Sequence, residues 1–197
     1  MKKHIYVFRH GQTENNANHI WQGAQLNPTL NEVGIKQAKE LGKRLEPLGL
    51  QIIYTSNLRR AIQTAMIANE KEVPVILDTK FCEVNFGKAE GMTYEEVGVV
   101  FGELKEKVMV PQPNTWHSKF PGEGSESKFE VYTRVSNEIL RIARTTEYKN
   151  IGISSHAGVL SSLLGGLNAH GIELPNCCIA HILYDDETES LSFVEML

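Results

Sequence analysis

Short apolar runs of strand length recur along this chain with helical stretches between them, and this alternation restricts the fold more than any other feature. Ile5 to Phe8, Gln51 to Thr55, Ile151 to Ser154, Ile179 to Tyr184 and Leu191 to Val194 read as strands. Between them, Ala38, Leu41, Leu45 and Leu48 recur at three- and four-residue spacing, the stripe of an amphipathic helix that Gly49 ends. Ala61, Ala65 and Ala68 mark a second helix, with Ser56 and Asn57 as candidate caps. Phe129, Tyr132, Val135, Ile139 and Ile142 mark a long one, and Gly158 to Leu167 a short one. Thr29-Leu30-Asn31-Glu32 and Thr93-Tyr94-Glu95-Glu96 are capping-box patterns, the second opening a helix towards residue 106. Val75 to Leu77 and Phe81 to Phe86 read as shorter extended pieces. The pattern predicts an α/β fold, a three-layer α/β/α sandwich with a mostly parallel central sheet. The last two strands, around Asp185-Asp186-Glu187, can add an antiparallel edge.

The whole chain, 1–197, is expected to form one domain. An irregular lid is inserted at about 105–125, where Pro111, Pro113, Pro121, Gly122 and Gly124 cluster. With 20 Lys plus Arg against 24 Asp plus Glu, the net charge is −4, which argues against a nucleic-acid surface. No apolar stretch approaches the roughly 20 residues of a membrane span, and the N-terminal apolar run is too short for a signal peptide. Cys82, Cys177 and Cys178 are an odd number, two of them adjacent, which suits a reducing compartment, and a cytoplasmic location is expected. Cys177, Cys178 and His181 lie close in sequence but are too few, and too irregularly spaced, for a zinc site, so no metal and no cofactor is predicted.

In open α/β sheets, ligands bind beyond the carboxyl ends of the strands. The first strand runs into Arg9-His10-Gly11, the second into Ser56-Asn57-Leu58-Arg59-Arg60, and the strand at 151–154 into Ser155-His156-Ala157-Gly158; the extended piece at 81–86 holds Glu83. Each of these alone is weak: a histidine after a strand is more often a buried structural residue than a catalytic one. Together they collect two histidines, two or three arginines and a carboxylate. Arginine forks suit phosphate oxygens, and histidine can act as nucleophile, acid or base.

Longer patterns sharpen the reading. Phe8-Arg9-His10-Gly11-Gln12-Thr13-Glu14-Asn15-Asn16 resembles the signature of the histidine phosphatase superfamily, phosphoglycerate mutase-like branch. Tyr54 to Ala65, Cys82-Glu83 through Glu90-Gly91, and Ser155-His156-Ala157-Gly158-Val159 resemble its second, third and fourth motifs, in the family's order. The departures are Ala89 where the family commonly has Trp, Ala157 where it commonly has Gly, Asn27 in place of an acidic residue, and Pro121-Gly122-Glu123-Gly124-Ser125 in scrambled order. These touch pocket walls and the lid.

The resemblance implies that His10 is the nucleophile, that Arg9, Arg60 and His156 stabilise the transferring phosphoryl group, and that Glu83 is general acid and base. Arg60, which precedes Ala61 as in the family motif, is preferred to Arg59. Gly11, Thr13, Asn16, Gln22, Gly23 and Ala157 are expected around the phosphate and substrate. The implied activity is hydrolysis of a small phosphorylated metabolite without metal, the partner being that phosphomonoester, with neither nucleic acid nor membrane involved and a homodimer conceivable. The alternatives are a bisphosphoglycerate-dependent phosphoglycerate mutase, for which 197 residues is short, and a non-catalytic relative that binds a phosphorylated ligand.

Overall fold

Alternation along the first strand divides its side chains between two cores. The computed structural model describes residues 2–110 and 113–197. The chain runs β1 (Lys2–Arg9), α1 (Glu14–Ala17), α2 (Glu32–Leu45), β2 (Ile52–Thr55), α3 (Arg59–Ala68) and β3 (Val75–Leu77). It continues through α4 (Tyr94–Phe101), α5 (Glu103–Met109), α6 (Lys128–Thr145), β4 (Asn150–Ser155), α7 (Ala157–Gly166), β5 (Ile179–Asp185) and β6 (Ser190–Met196). Ile5 and Val7 of β1 join one cluster, with Val135 and Ile139 of α6 and Leu160 and Leu163 of α7. Tyr6 and Phe8 point to the opposite face and meet Leu41 and Leu45 of α2 and Ala65 and Ala68 of α3. The period of two in the strand thus produces the three layers. Burial of each large aliphatic side chain contributes about 1.5–3 kcal/mol.

The six strands lie in the order β3-β2-β4-β1-β5-β6. β3, β2, β4 and β1 are mutually parallel, while β5 and β6 run antiparallel at one edge. The α/β sandwich and its antiparallel edge match the expectation. The placement of β4 between β2 and β1 brings three strand ends side by side: Arg9 is in register with Ser155, and Thr55 with Ser154.

Four local expectations are corrected. α2 is capped by Asn31, whose side chain accepts from the Gly34 amide, rather than by Thr29. α3 begins after Leu58, and Ser56 acts one step earlier by accepting the Leu58 amide. The helix after Thr93 does not run unbroken to 106, because Gly102, at φ 51°, separates α4 from α5. Residues 81–86 do not form a strand, since the amides of Val84, Asn85 and Phe86 donate to the carboxylates of Glu83, Glu126 and Glu90.

The segment 105–125, expected as an irregular lid, includes the end of α5 and packs with residues outside it. Trp21, Ala89, Val97, Val108 and Phe120 make a third buried cluster over the carboxyl ends of the strands, so α4, α5 and the loop at 20–23 form one cap. The edges of Phe86 and Phe120 approach the Trp21 ring, with centroids 4.6 and 5.3 Å away. Pro111 and Gln112, within the expected lid, lie outside the described residues. No helix among the described residues is long and apolar enough to cross a membrane.

Candidate active site

Parallel pairing of β1 with β4 sets His10 beside His156. The His10 amide donates to the Ser155 carbonyl at 3.0 Å, and the two imidazole centroids lie 5.2 Å apart. Both rings line or adjoin the core of the molecule: His10 is buried and His156 wholly so.

The tautomers follow from the surrounding network. His10 Nδ1 lies 2.6 Å from the Gly11 carbonyl, an acceptor only, so Nδ1 carries the proton and Nε2 keeps its lone pair. Gly11 cannot swing away, because its own amide donates to Thr64 Oγ1 and a Cβ there would sit 2.5 Å from the Gly34 carbonyl oxygen. The Ser56 hydroxyl accepts from the Leu58 amide and faces His156 Nε2 at 2.8 Å. With the Ser56 proton given to Nε2, His156 Nδ1 is a buried N–H without a partner among the described residues.

Burial, then the charges of Arg60 and Arg9, hold His10 well below the usual histidine value, against the upward pull of the Gly11 carbonyl. Burial and the Arg60 charge do the same to His156. Both rings are expected to stay neutral at pH 6, where an ordinary imidazole of pKa about 6.5 is mostly protonated; ring-nitrogen shifts in ¹⁵N-histidine NMR check this, and a protonated His10 at that pH would refute it. Stability is linked with a definite sign. The unfolded chain takes up protons the folded one refuses, so stability falls as pH drops below about 6.5 and keeps falling until the depressed folded values are reached.

Two arginines flank the imidazoles. Arg60 is fully buried at the start of α3, and its two terminal nitrogens donate to the Leu26 and Gly23 carbonyls at 2.8 Å each. Arg59, by contrast, is exposed, its amide held by Asn27 Oδ1 at 2.7 Å. Arg9 donates to the Leu174 carbonyl at 2.6 Å. Arg9 Nε and Arg60 Nε, like His156 Nδ1, are buried donors without a protein partner. Such groups are costly to leave unsatisfied, and an oxyanion has the acceptor chemistry to satisfy them.

Glu83 closes the arrangement. One carboxylate oxygen accepts the Val84 amide at 2.9 Å and the other the Gly158 amide, at the first turn of α7, at 3.3 Å. A Cβ on Gly158 would lie 2.6 Å from the Glu83 carboxylate, so this glycine is needed for close approach. The Glu83 loop is clamped from α6: Arg134 pairs with Glu126 at 2.6 Å and donates to the carbonyls of Lys80, Cys82 and Glu83.

Arg9, His10, Asn16, Gln22, Gly23, Arg60, Glu83 and Ala157 all line one cavity of about 240 Å³. Gly11 and Thr13 stand behind it instead. Gly11 fixes the His10 tautomer, while Thr13 caps α1 and donates to Gln22 Oε1 at 2.9 Å, which leaves the Gln22 amide hydrogens for the cavity. Gly23, at φ 56°, is packed against Glu90, whose carboxylate also accepts the Ala24 and Gln25 amides. Glu90 thus shapes the loop that presents the Arg60 acceptors. Lys128 and Ser161 also line the cavity and were not anticipated, nor was Asn176, which donates to the His10 carbonyl at 3.0 Å. Among the described residues no three His, Cys, Asp or Glu side chains are grouped to hold a metal ion.

The profile of the histidine phosphatase superfamily (branch 1) matches residues 5–196. Phosphoserine phosphatase 1 of Hydrogenobacter thermophilus is 33% identical over 153 residues, which cover 77% of this chain and 70% of that protein. The 2,3-bisphosphoglycerate-dependent phosphoglycerate mutase of a Methylobacterium strain is 28% identical over 190 residues, 88% of each chain. In fold, a solved phosphoglycerate mutase from Bacillus anthracis superposes with a TM-score of 0.86 at 23% identity, over 98% of this chain and 92% of its own.

Proposed function

The chain belongs to branch 1 of the histidine phosphatase superfamily, and from that premise we propose that it is a phosphomonoesterase that transfers a phosphoryl group from a small metabolite to His10 and then to water. The observation that carries this is the neutral His10 imidazole, its Nε2 lone pair uncommitted, set with Arg9, Arg60 and Glu83 around one cavity and with the buried His156 ring 5.2 Å away.

In the first step Nε2 attacks phosphorus as the P–O bond to the leaving group breaks. Charge on the equatorial oxygens is met by the guanidinium groups and by His156 Nδ1–H, donors already positioned and desolvated. The Glu83 carboxyl gives its proton to the departing oxygen. In the second step the Glu83 carboxylate takes a proton from water, whose oxygen attacks the phosphohistidine and frees Nε2 with release of phosphate.

The mutase relative supports a second reading, because coverage of 88% of each chain means that the two are similar in length. Length therefore does not separate hydrolysis from mutase chemistry as the sequence suggested. Release of phosphate from an aryl phosphate tests the proposal, with the same rate expected within about twofold in EDTA, since no step calls on a metal. Complete loss restored by zinc or magnesium would overturn the scheme. Formation of 2-phosphoglycerate from 3-phosphoglycerate with bisphosphoglycerate, faster than phosphate release, would select the mutase.

A further inference from the structure

Lys128 has no part in the steps above, yet it is nearly as buried as the residues that do. It is 9% exposed, lines the same cavity, and has no described carboxylate within salt-bridge distance. Lysine is almost never buried to this degree without a charged partner, because a desolvated ammonium is costly. Its Nζ donates to the Met109 carbonyl at 2.6 Å and to Ser161 Oγ at 2.8 Å. These are neutral acceptors, and they leave the third N–H of the ammonium uncommitted. Burial pushes the amine down to about 8, with the charge of Glu83 pulling the other way, so it is still mostly cationic at neutral pH.

Ser161 places this cation relative to the phosphoryl site. It lies four residues beyond Ala157, on the same face of α7, hence about 6 Å further along the axis. Ala157 directly follows His156, one of the phosphoryl donors. A cation about one helical turn from these phosphoryl donors suits a leaving group of two or three carbons that ends in an anion.

Resting on the phosphomonoesterase reading, we propose that Lys128 is a specificity-determining residue that pairs with a carboxylate on the leaving group, so that the preferred substrates are phosphoesters of small hydroxy acids. Such a carboxylate would complete the Lys128 coordination inside the cavity, where a matched alcohol would leave the ammonium unpaired.

Matched substrates test this. The wild-type enzyme is expected to favour 3-phosphoglycerate over glycerol 3-phosphate, and O-phosphoserine over O-phosphoethanolamine, by about tenfold or more in kcat/KM. In Lys128→Gln each ratio should fall towards one, mainly through KM, and Lys128→Arg should retain most of it. A lysine that only staples the lid through Met109, or that acts through Glu83, would lower all four substrates together, chiefly in kcat, and that result overturns the proposal. Titration of wild-type protein with glycerate and with glycerol by calorimetry decides the matter without turnover or a stable variant: glycerate must bind at least about tenfold more tightly. Equal binding, or hydrolysis of aryl phosphate with no carboxylate preference, sinks the Lys128 assignment and leaves the phosphatase reading intact. Failure of every phosphoester with glycerate still preferred sinks the phosphatase reading alone.

Discussion

His10→Ala is expected to lower phosphate release by at least about 10⁴-fold while the protein still folds and still binds inorganic phosphate. The size of the effect follows from what is removed. Among the described residues the other candidates are engaged: His156 Nε2 faces Ser56 at 2.8 Å, Glu83 is held by the Val84 and Gly158 amides, and the Ser161 hydroxyl accepts from Lys128. The cationic and amide donors survive the substitution, which is why anion binding should persist. The fold should survive as well, since the substitution removes one side-chain bond to Gly11 and the ring contact with His156 beside an existing cavity, while the neighbouring backbone stays fixed by Thr64 and Ser155. Loss of one buried hydrogen bond costs about 0.5–1.5 kcal/mol. Rapid quench of wild-type enzyme with radiolabelled substrate should trap protein-bound phosphate that is labile in acid and stable in alkali, and the variant should trap none. Undiminished turnover in His10→Ala, or acid-stable label, would place the nucleophile elsewhere.

The parts of this site that were legible in the sequence are those where a local pattern and a strand end coincide. Arg9-His10-Gly11 and Ser155-His156-Ala157 each follow an apolar run, and an apolar run that stops at a charged or polar residue marks a strand end whatever the topology. Their meeting was not legible. It depends on β4 inserting between β2 and β1, a crossover that no local pattern encodes. The stretch 81–86 misled because its apolar residues alternate with polar ones as a strand would. Its backbone donors instead go to Glu83, Glu126 and Glu90, of which Glu126 is distant in sequence from the amide it accepts. The Thr29-to-Glu32 pattern pointed to Thr29 as the cap, and only the folded loop shows that Asn31 accepts the Gly34 amide instead.

Lys128 escaped notice for a related reason. After the cap Ser127 and before the apolar stripe of α6, a lysine reads as a solvated first-turn residue, indeed an unfavourable one for the helix dipole. Only the closure of α5 over α7 turns that position inward, against Met109 and Ser161. The lid cluster of Trp21, Val97, Val108 and Phe120 was hidden in the same way, because its members come from segments nearly 100 residues apart. Arg134 shows the reverse case. Its spacing on α6 is that of an exposed face, but its guanidinium reaches three carbonyls of the Glu83 loop and so holds that loop in place.

Glu83→Gln should separate the two chemical steps. With an alkyl phosphate the leaving alkoxide needs a proton, and the variant should lose about 10²–10⁴ of kcat, the usual worth of a positioned general acid. With an aryl phosphate the leaving phenolate is stable enough to depart unprotonated, so transfer to His10 should persist. The second step still needs a base for water, and glutamine cannot serve. The variant should therefore release one equivalent of phenol in a burst and then turn over slowly, with phosphohistidine accumulating. The geometry allows this substitution to be read cleanly. The glutamine fills the same volume and its carbonyl can keep the shorter bond, from the Val84 amide, so the cost is the longer bond from Gly158, while the loop stays held by Arg134. A burst amplitude near one per active site, with a slow second phase common to several aryl phosphates, identifies Glu83 as the base of dephosphorylation. Equal losses for alkyl and aryl substrates with no burst would instead mean that Glu83 only shapes the cavity, and the proton would have to come from another group.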